Sequence, residues 1–319
     1  MASTQTPLSV WETLDFVPIA IRLVCVAFYS AVTAPFRASN TPKTLKNHVI
    51  LSVSRAAFNR LSPRQRRYLT GSTEWHYQSW VKNSGFQPES LTLPDGTKVF
   101  LVGSLTAENI VLYFHGGGWN MPGNTGHFDF AASTMRRAKE SGQSLCFAFI
   151  QYNLAPGSRY PSQLSQCVEM LQYTLQTLGK EPSNIILAGD SAGGSLVMSV
   201  ISHLLHPHPE VHPITLTGQL KAAVVFSPWV NLTMEGSSVL QNRTQDPVSP
   251  EVMKGWTRDY LGSAPFDYYN QPILAPPEWW SGMPVNQLLI TGAAREMLAD
   301  DIVQFSETIK VRDRVLGFE

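Results

Sequence analysis

The residues of this 319-residue chain whose types and spacing could do chemistry sit in two glycine-rich turns. One is Gly189-Asp190-Ser191-Ala192-Gly193-Gly194, between the apolar run NIILA at residues 184–188 and the helical run SLVMSVISHLL. A serine at a sharp turn from strand to helix is held in a strained backbone conformation, and its neighbours on both sides must be small so that strand and helix can approach. Gly189 and Gly193 meet that demand, with Asp190 and Gly194 completing the turn. Ser191 then stands at a helix N-terminus, whose free N–H groups favour the negative charge that develops in acyl transfer. This makes Ser191 the candidate nucleophile and the N–H of Ala192 the first oxyanion donor; the bland alternative is a glycine turn with an idle serine.

The other turn is His115-Gly116-Gly117-Gly118-Trp119, directly after the apolar run NIVLYF at residues 109–114. Three glycines in a row leave the backbone bare, so two N–H groups can turn toward one point, as an oxyanion hole requires. A phosphate cradle uses similar glycines, but neither the Lys-Ser/Thr ending of a P-loop nor the GxGxxG of a dinucleotide site follows, so no cofactor is expected. His115, at the strand end before the loop, reads as a residue that orients the loop by hydrogen bonding. His203, His206, His208 and His212 match no common ligand spacing; they read as a solvated loop, and no metal is expected. Cys25, Cys146 and Cys167 form no CxxC pair, so neither structural disulfides nor zinc are expected.

These turns need a frame that brings strand ends together. From Val99 onward, short apolar runs alternate with helical stretches, the pattern of a mostly parallel sheet covered by helices. Strands are predicted at residues 109–114, 145–151, 184–188, 221–226 and 287–291, and chemistry belongs at their carboxyl ends. We divide the chain into an N-terminal apolar and basic segment with a helical lid, residues 1–98, and an α/β core, residues 99–319. The 24 basic and 24 acidic side chains cancel, so no nucleic-acid partner is expected.

Residues 16–36 are almost wholly apolar and long enough to cross a bilayer, but Pro18 and Arg22 interrupt them. Residues 1–15 carry no Lys or Arg, unlike a cleaved signal peptide, so secretion is not expected. No acidic residue lies between Asp15 and Glu74, whereas Arg37, Lys43, Lys46, Arg55 and Arg60 follow the apolar run. Two readings stay open: contact with a membrane through residues 16–36, the catalytic domain then lying on the cytoplasmic side, or helices of a lid with solvated basic faces. Tyr77, Trp80 and Phe86 are assigned no role.

Taken together, HGGGW and GDSAGG resemble the hormone-sensitive-lipase-like branch of the α/β-hydrolases. Tyr152-Asn153-Leu154-Ala155-Pro156 with Tyr160-Pro161, and Ser227-Pro228-Trp229-Val230-Asn231-Leu232, resemble further blocks of that family, and the likeness runs from about residue 99 to residue 301. It implies an α/β-hydrolase fold with helices on both faces of the sheet and an N-terminal helical lid. It further implies a serine hydrolase of carboxylesterase or deacetylase type acting on an ester of an apolar small molecule. Ser191 would be the nucleophile, and Gly116, Gly117, Gly118 and Ala192 would supply oxyanion N–H groups. The family's acid follows the penultimate core strand; the segment GAAREMLADD at residues 292–301 fits its motif, with Glu296 where Asp is commoner. Glutamate serves, because the acid only orients an imidazole and stabilises its cation. Asp300 and Asp301 are weaker candidates, first-turn acids of a helix.

The resemblance places the catalytic histidine beyond the acid, after one more strand, yet all eight histidines precede Glu296. The expectation is a chain shortened before that histidine and lacking the last core strand, with His127 a poor substitute base. Two other functions remain open. His115-Gly116-Gly117-x-Trp119 also resembles the motif of arylformamidase-like amidases. A non-catalytic small-molecule binder is the other, as in the plant gibberellin receptors, which resemble this family but lack the histidine.

Overall fold

Seven short runs, β1 (Glu89–Thr92), β2 (Lys98–Val102), β3 (Asn109–Phe114), β4 (Leu145–Ile150), β5 (Ile185–Asp190), β6 (Ala222–Phe226) and β7 (Leu288–Thr291), pair into one sheet in a computed structural model that describes residues 8–37 and 42–310. Their order is β1-β2-β4-β3-β5-β6-β7. β3 is buried from end to end and pairs in parallel with β4 and β5, which suits a continuous apolar run covered on both faces. β6 and β7 continue the parallel side, while β1 and β2 add antiparallel beyond β4. The five strands expected from apolar runs therefore lie where the sequence puts them.

The boundary between residues 98 and 99 falls inside β2, within the β1–β2 hairpin. That hairpin turns at Asp95-Gly96, a strong short-range turn signal, but Glu89, Ser90 and Lys98 dilute the apolar alternation of its strands. The core also begins earlier on the helical side. Of the N-terminal helices α1 (Val10–Leu14), α2 (Phe16–Thr33), α3 (Leu45–Arg60), α4 (Pro63–Thr70) and α5 (Thr73–Ser84), the last belongs to the sheet. Its Tyr77 and Trp80 pack with Phe100, Phe128 and Phe149 in the core on one face.

That face is also covered by α6 (Thr125–Glu140), while α7 (Ser162–Gln176) and α8 (Ala192–Leu205) cover the other. α8 is buried through residue 203, and its polar stripe of Ser195, Ser199 and Ser202 donates to the carbonyls of Trp229, Tyr269 and Tyr268. α9 (Ser237–Asn242), α10 (Pro250–Leu261) and α11 (Ala299–Lys310) follow, α11 adding Ile302, Phe305 and Ile309 to the α8 side. Toward β6 and β7 the α6 face is barer, and Val224, Phe226 and Leu289 are only half-buried there.

The histidine-rich loop after α8 is packed rather than solvated, because its imidazoles terminate the backbone. His203 Nδ1 accepts from the His208 N–H (3.0 Å), His208 Nδ1 accepts from the Glu210 N–H (3.1 Å), and the His206 ring donates to the Trp279 carbonyl (3.0 Å).

Tyr77 illustrates how α5 is fastened. Its hydroxyl donates to the Leu101 carbonyl (2.6 Å) and accepts from the Glu89 N–H (3.0 Å), bridging β1 and β2. Tyr77→Phe should leave both groups short of a partner and lower unfolding free energy by about 1–3 kcal/mol in urea denaturation.

Candidate active site

Ser191 stands between β5 and α8 at φ 51° and ψ −119°, a strained conformation for a side-chain-bearing residue. Hydrogen bonds hold it there. Its N–H donates to the Phe226 carbonyl (2.8 Å), and its carbonyl accepts from Ser195 and Trp229 (both 3.1 Å). A Cβ on Gly193 would overlap the Phe114 carbonyl oxygen, and one on Gly189 would strike the Gly193 backbone. Trp119 and Ser227 also take positive φ, 57° and 45°. Strain thus gathers at the carboxyl ends of β3, β5 and β6, and the sequence gives no sign of it at Trp119 or Ser227.

The glycine loop faces this turn. The N–H groups of Gly117, Gly118 and Ala192 have no partner among the described residues. Gly116, grouped with them on sequence, differs: its N–H donates to Asp190 Oδ1 (2.9 Å). The same oxygen accepts from the Tyr113 hydroxyl (3.0 Å) and lies 3.3 Å from His127 Nε2. Since His127 Nδ1 accepts from the Asn124 N–H (3.0 Å), the ring proton sits on Nε2, toward the carboxylate. Burial alone would raise the Asp190 pKa, but the hydrogen bond and charge of His127 and the Gly116 N–H outweigh it and hold the carboxyl below its ordinary 3.8. His127 therefore serves Asp190. Tyr113 carries no signal in the sequence, and His127, a poor substitute base on sequence, is instead engaged by this carboxylate, because only the fold brings the two residues to Asp190.

His115 is positioned as a strut. Its ring stacks on Tyr152 at 4.3 Å, and its Nδ1 lies 2.8 Å from the Gly116 carbonyl, which can only accept, so Nδ1 carries the proton. Nε2 is buried without a hydrogen-bond partner among the described residues. Burial pushes the pKa down to about 4, and the ring is neutral at physiological pH.

Apolar rings close over the loop. Trp256 of α10 lies so near Gly118 that a Cβ there would overlap its indole. Phe58 of α3 meets that indole edge-on at 5.9 Å, and the guanidinium of Arg66 in α4 sits 5.9 Å above it. Behind them Trp119 stacks on Tyr260 at 3.9 Å. Helices α3 and α4 thus bear on the residue that bears on the glycine loop.

Glu296 follows β7, with Oε1 accepting from the Ala293 N–H (2.9 Å). Burial raises its pKa, against the lowering effect of the Ser227 hydroxyl and the Ala293 N–H. Ser227 is the neighbour that joins this acid to the Ser191 side of the sheet, through its own N–H on the Thr291 carbonyl (2.7 Å). Asp300 is engaged by Ser237 and Ser238, and Asp301 by Asn231 (2.9 Å), so both belong to the start of α11. None of the histidines hydrogen-bonds to Ser191 or Glu296 among the described residues. No His, Cys, Asp and Glu group among them could hold a metal ion.

Comparison with known proteins matches this geometry. A family model described as the α/β hydrolase fold fits residues 111–315. The chain belongs to the α/β-hydrolase family. Among its relatives, steryl acetyl hydrolase 1 of Saccharomyces cerevisiae is 26% identical over 178 residues, 53% of the chain and 39% of that protein. An esterase of Acinetobacter venetianus is 25% identical over 217 residues, 67% of the chain and 65% of that protein. The chain therefore spans less than two thirds of either relative's length. A solved hormone-sensitive lipase from a metagenome library superposes with a TM-score of 0.67 at 22% identity, covering 85% of the chain and 86% of its own, which shows the shared fold.

Two substitutions test the turn. Gly193→Ala should cost about 3 kcal/mol or more in urea unfolding or prevent folding, since backbone rather than a flexible side chain must move. Gly218→Ala, with open space around it, should change stability by less than about 0.5 kcal/mol. His115 supplies a pH test. Its folded pKa of about 4 lies below the ordinary 6.5, so the unfolded chain binds the proton first. Its contribution is whole above 6.5 and is lost as pH falls toward about 4, on the order of 3 kcal/mol; NMR should find its imidazole neutral throughout most of that window.

Proposed function

We propose that the chain is a serine hydrolase of carboxylic esters, with Ser191 as nucleophile, Gly117, Gly118 and Ala192 as oxyanion donors and Glu296 as acid. The observation that carries this reading is the strained Ser191 turn facing three backbone N–H groups that have no partner among the described residues. Unpaired donors beside a nucleophile are held ready for charge that appears only in the transition state. Attack of Oγ on the ester carbonyl forms the acyl bond, and the tetrahedral oxyanion meets these N–H groups. Collapse expels the alcohol, and water then releases the acid. The names of the yeast and bacterial relatives, a steryl acetyl hydrolase and an esterase, support an ester or acetyl substrate. The rings of Trp256 and Phe58 over the loop support an apolar one.

The hydroxyl proton of Ser191 needs a base that later returns it to the leaving alcohol. The described histidines are held elsewhere: His115 by Gly116 and Tyr152, His127 by Asp190. That observation supports a second reading, a small-molecule binder of the same fold that holds an ester without cleaving it.

A chemical-rescue assay separates the two. With free imidazole added, the 319-residue chain should hydrolyse p-nitrophenyl butyrate at least about a hundredfold faster than Ser191→Ala under the same conditions. Equal rates in both would remove Ser191 from the chemistry, and ester binding without turnover would favour the second reading.

A further inference from the structure

The outer face of α2 takes no part in the site. One stripe of this helix, Phe16, Ile19, Leu23, Val26 and Ser30, is sheltered where α2 packs along α3. The opposite face is just as apolar and bare, with Val17, Ile21, Val24 and Phe28 exposed by 62, 61, 68 and 71%. A helix that is hydrophobic all round is covered by protein or by lipid, and among the described residues nothing covers this face.

We propose that this face docks into the interface of a lipid bilayer, with α2 lying parallel to the membrane plane. The apolar stretch Val10–Phe36 is long enough to cross a membrane, but its attachments oppose crossing. α3 runs along α2 carrying Lys46, Asn47, His48 and Asn59. Drawing α2 through the bilayer would pull these groups into hydrocarbon or strip α3 away. The start of α2 is also tied to the body of the protein. Asp15 pairs with Arg60 and accepts from Gln65 Nε2 (3.1 Å), Gln65 donates to the Glu12 carbonyl (3.0 Å), and Arg64 pairs with Glu12 (3.2 Å).

An in-plane helix keeps all these contacts. It also suits the flanks: Trp11 and Tyr68, both exposed, lie at the α1–α2 end, and amphipathic rings favour the headgroup level. Lys43 and Lys46 stand beyond the other end, and no acid lies between Asp15 and Glu74, which favours anionic headgroups. The consequence reaches the site. α3 and α4, the inner layer of the docked unit, press Phe58 and Arg66 on Trp256 over Gly118, so docking sets the oxyanion loop beside the lipid phase.

Cys25 gives a built-in probe, since it is exposed midway along α2 while Cys146 and Cys167 are buried. The full chain is labelled there with an environment-sensitive fluorophore and mixed with vesicles of phosphatidylcholine and phosphatidylserine. The label should brighten, and lipids carrying a nitroxide near the headgroup should quench it more than lipids carrying one at the chain end. The double variant Ile21→Glu, Phe28→Glu changes only exposed positions; its thermal unfolding should match the wild type while vesicle binding weakens more than about tenfold. Stronger quenching from the chain end would mean a crossing helix and overturn the proposal. Absence of wild-type binding, or unchanged binding by the variant, would overturn it as well.

Discussion

The first turn of α8 lies against the end of β3 with no room for a side chain between them, and the geometry of the Ser191 turn follows from that approach. Gly193 touches the Phe114 carbonyl, and Gly189 allows the return strand to pass Gly193. Because both are bare, Ser191 can be lifted out of strand and helix alike, at a strain of order 1–3 kcal/mol that the surrounding ladder must hold. The same approach carries the Ala192 N–H toward the glycines of the facing loop. A looser fit would leave the serine in place and scatter the donors.

Charge is arranged around this contact with few groups that titrate near neutrality. Asp190 gathers a main-chain N–H, a phenol and an imidazole on one oxygen and so anchors the glycine loop from below. Three donors on one half-buried carboxylate fix direction as well as energy. His115, on the other side of the loop, is kept neutral by burial and steadies it through Gly116 and Tyr152. The two histidines nearest the glycines thus act as scaffold, and contacts within the protein hold the loop. From above, Trp256 links helices α3 and α4 to Gly118, so the Ser191 turn is fixed by the core and the glycine loop is fixed jointly by the core and these helices.

Much of this could be read from the chain itself. NIVLYF and LCFAFI declare their strands because continuous apolar runs suit a doubly covered sheet, and the two glycine motifs declare the turn and the loop through local backbone demands. What stayed hidden depends on residues far apart in sequence. Nothing near Gly116 indicates that Asp190 will take its N–H, nor does anything near Gly118 announce Trp256. Ser227 looked like part of a family block, and its place between Ser191 and Glu296 emerges only when β6 is laid between β5 and β7. The β1–β2 hairpin was blurred because its strands are short and partly polar. The loop of histidines looked solvated, because capping of backbone groups by imidazole nitrogens leaves no periodic trace.

β7 pairs only with β6 among the described residues, and its other side presents a row of unpaired amides and carbonyls. Beside it the half-buried Val224, Phe226 and Leu289 leave part of the sheet surface bare. An open strand edge next to bare apolar surface is a template for extension by another extended segment. Besides the bare face of α2, the isolated chain thus carries a second adhesive surface, at the opposite end of the sheet from the β1–β2 hairpin, where a charged residue or a proline on the outer edge of β7 would oppose strand addition.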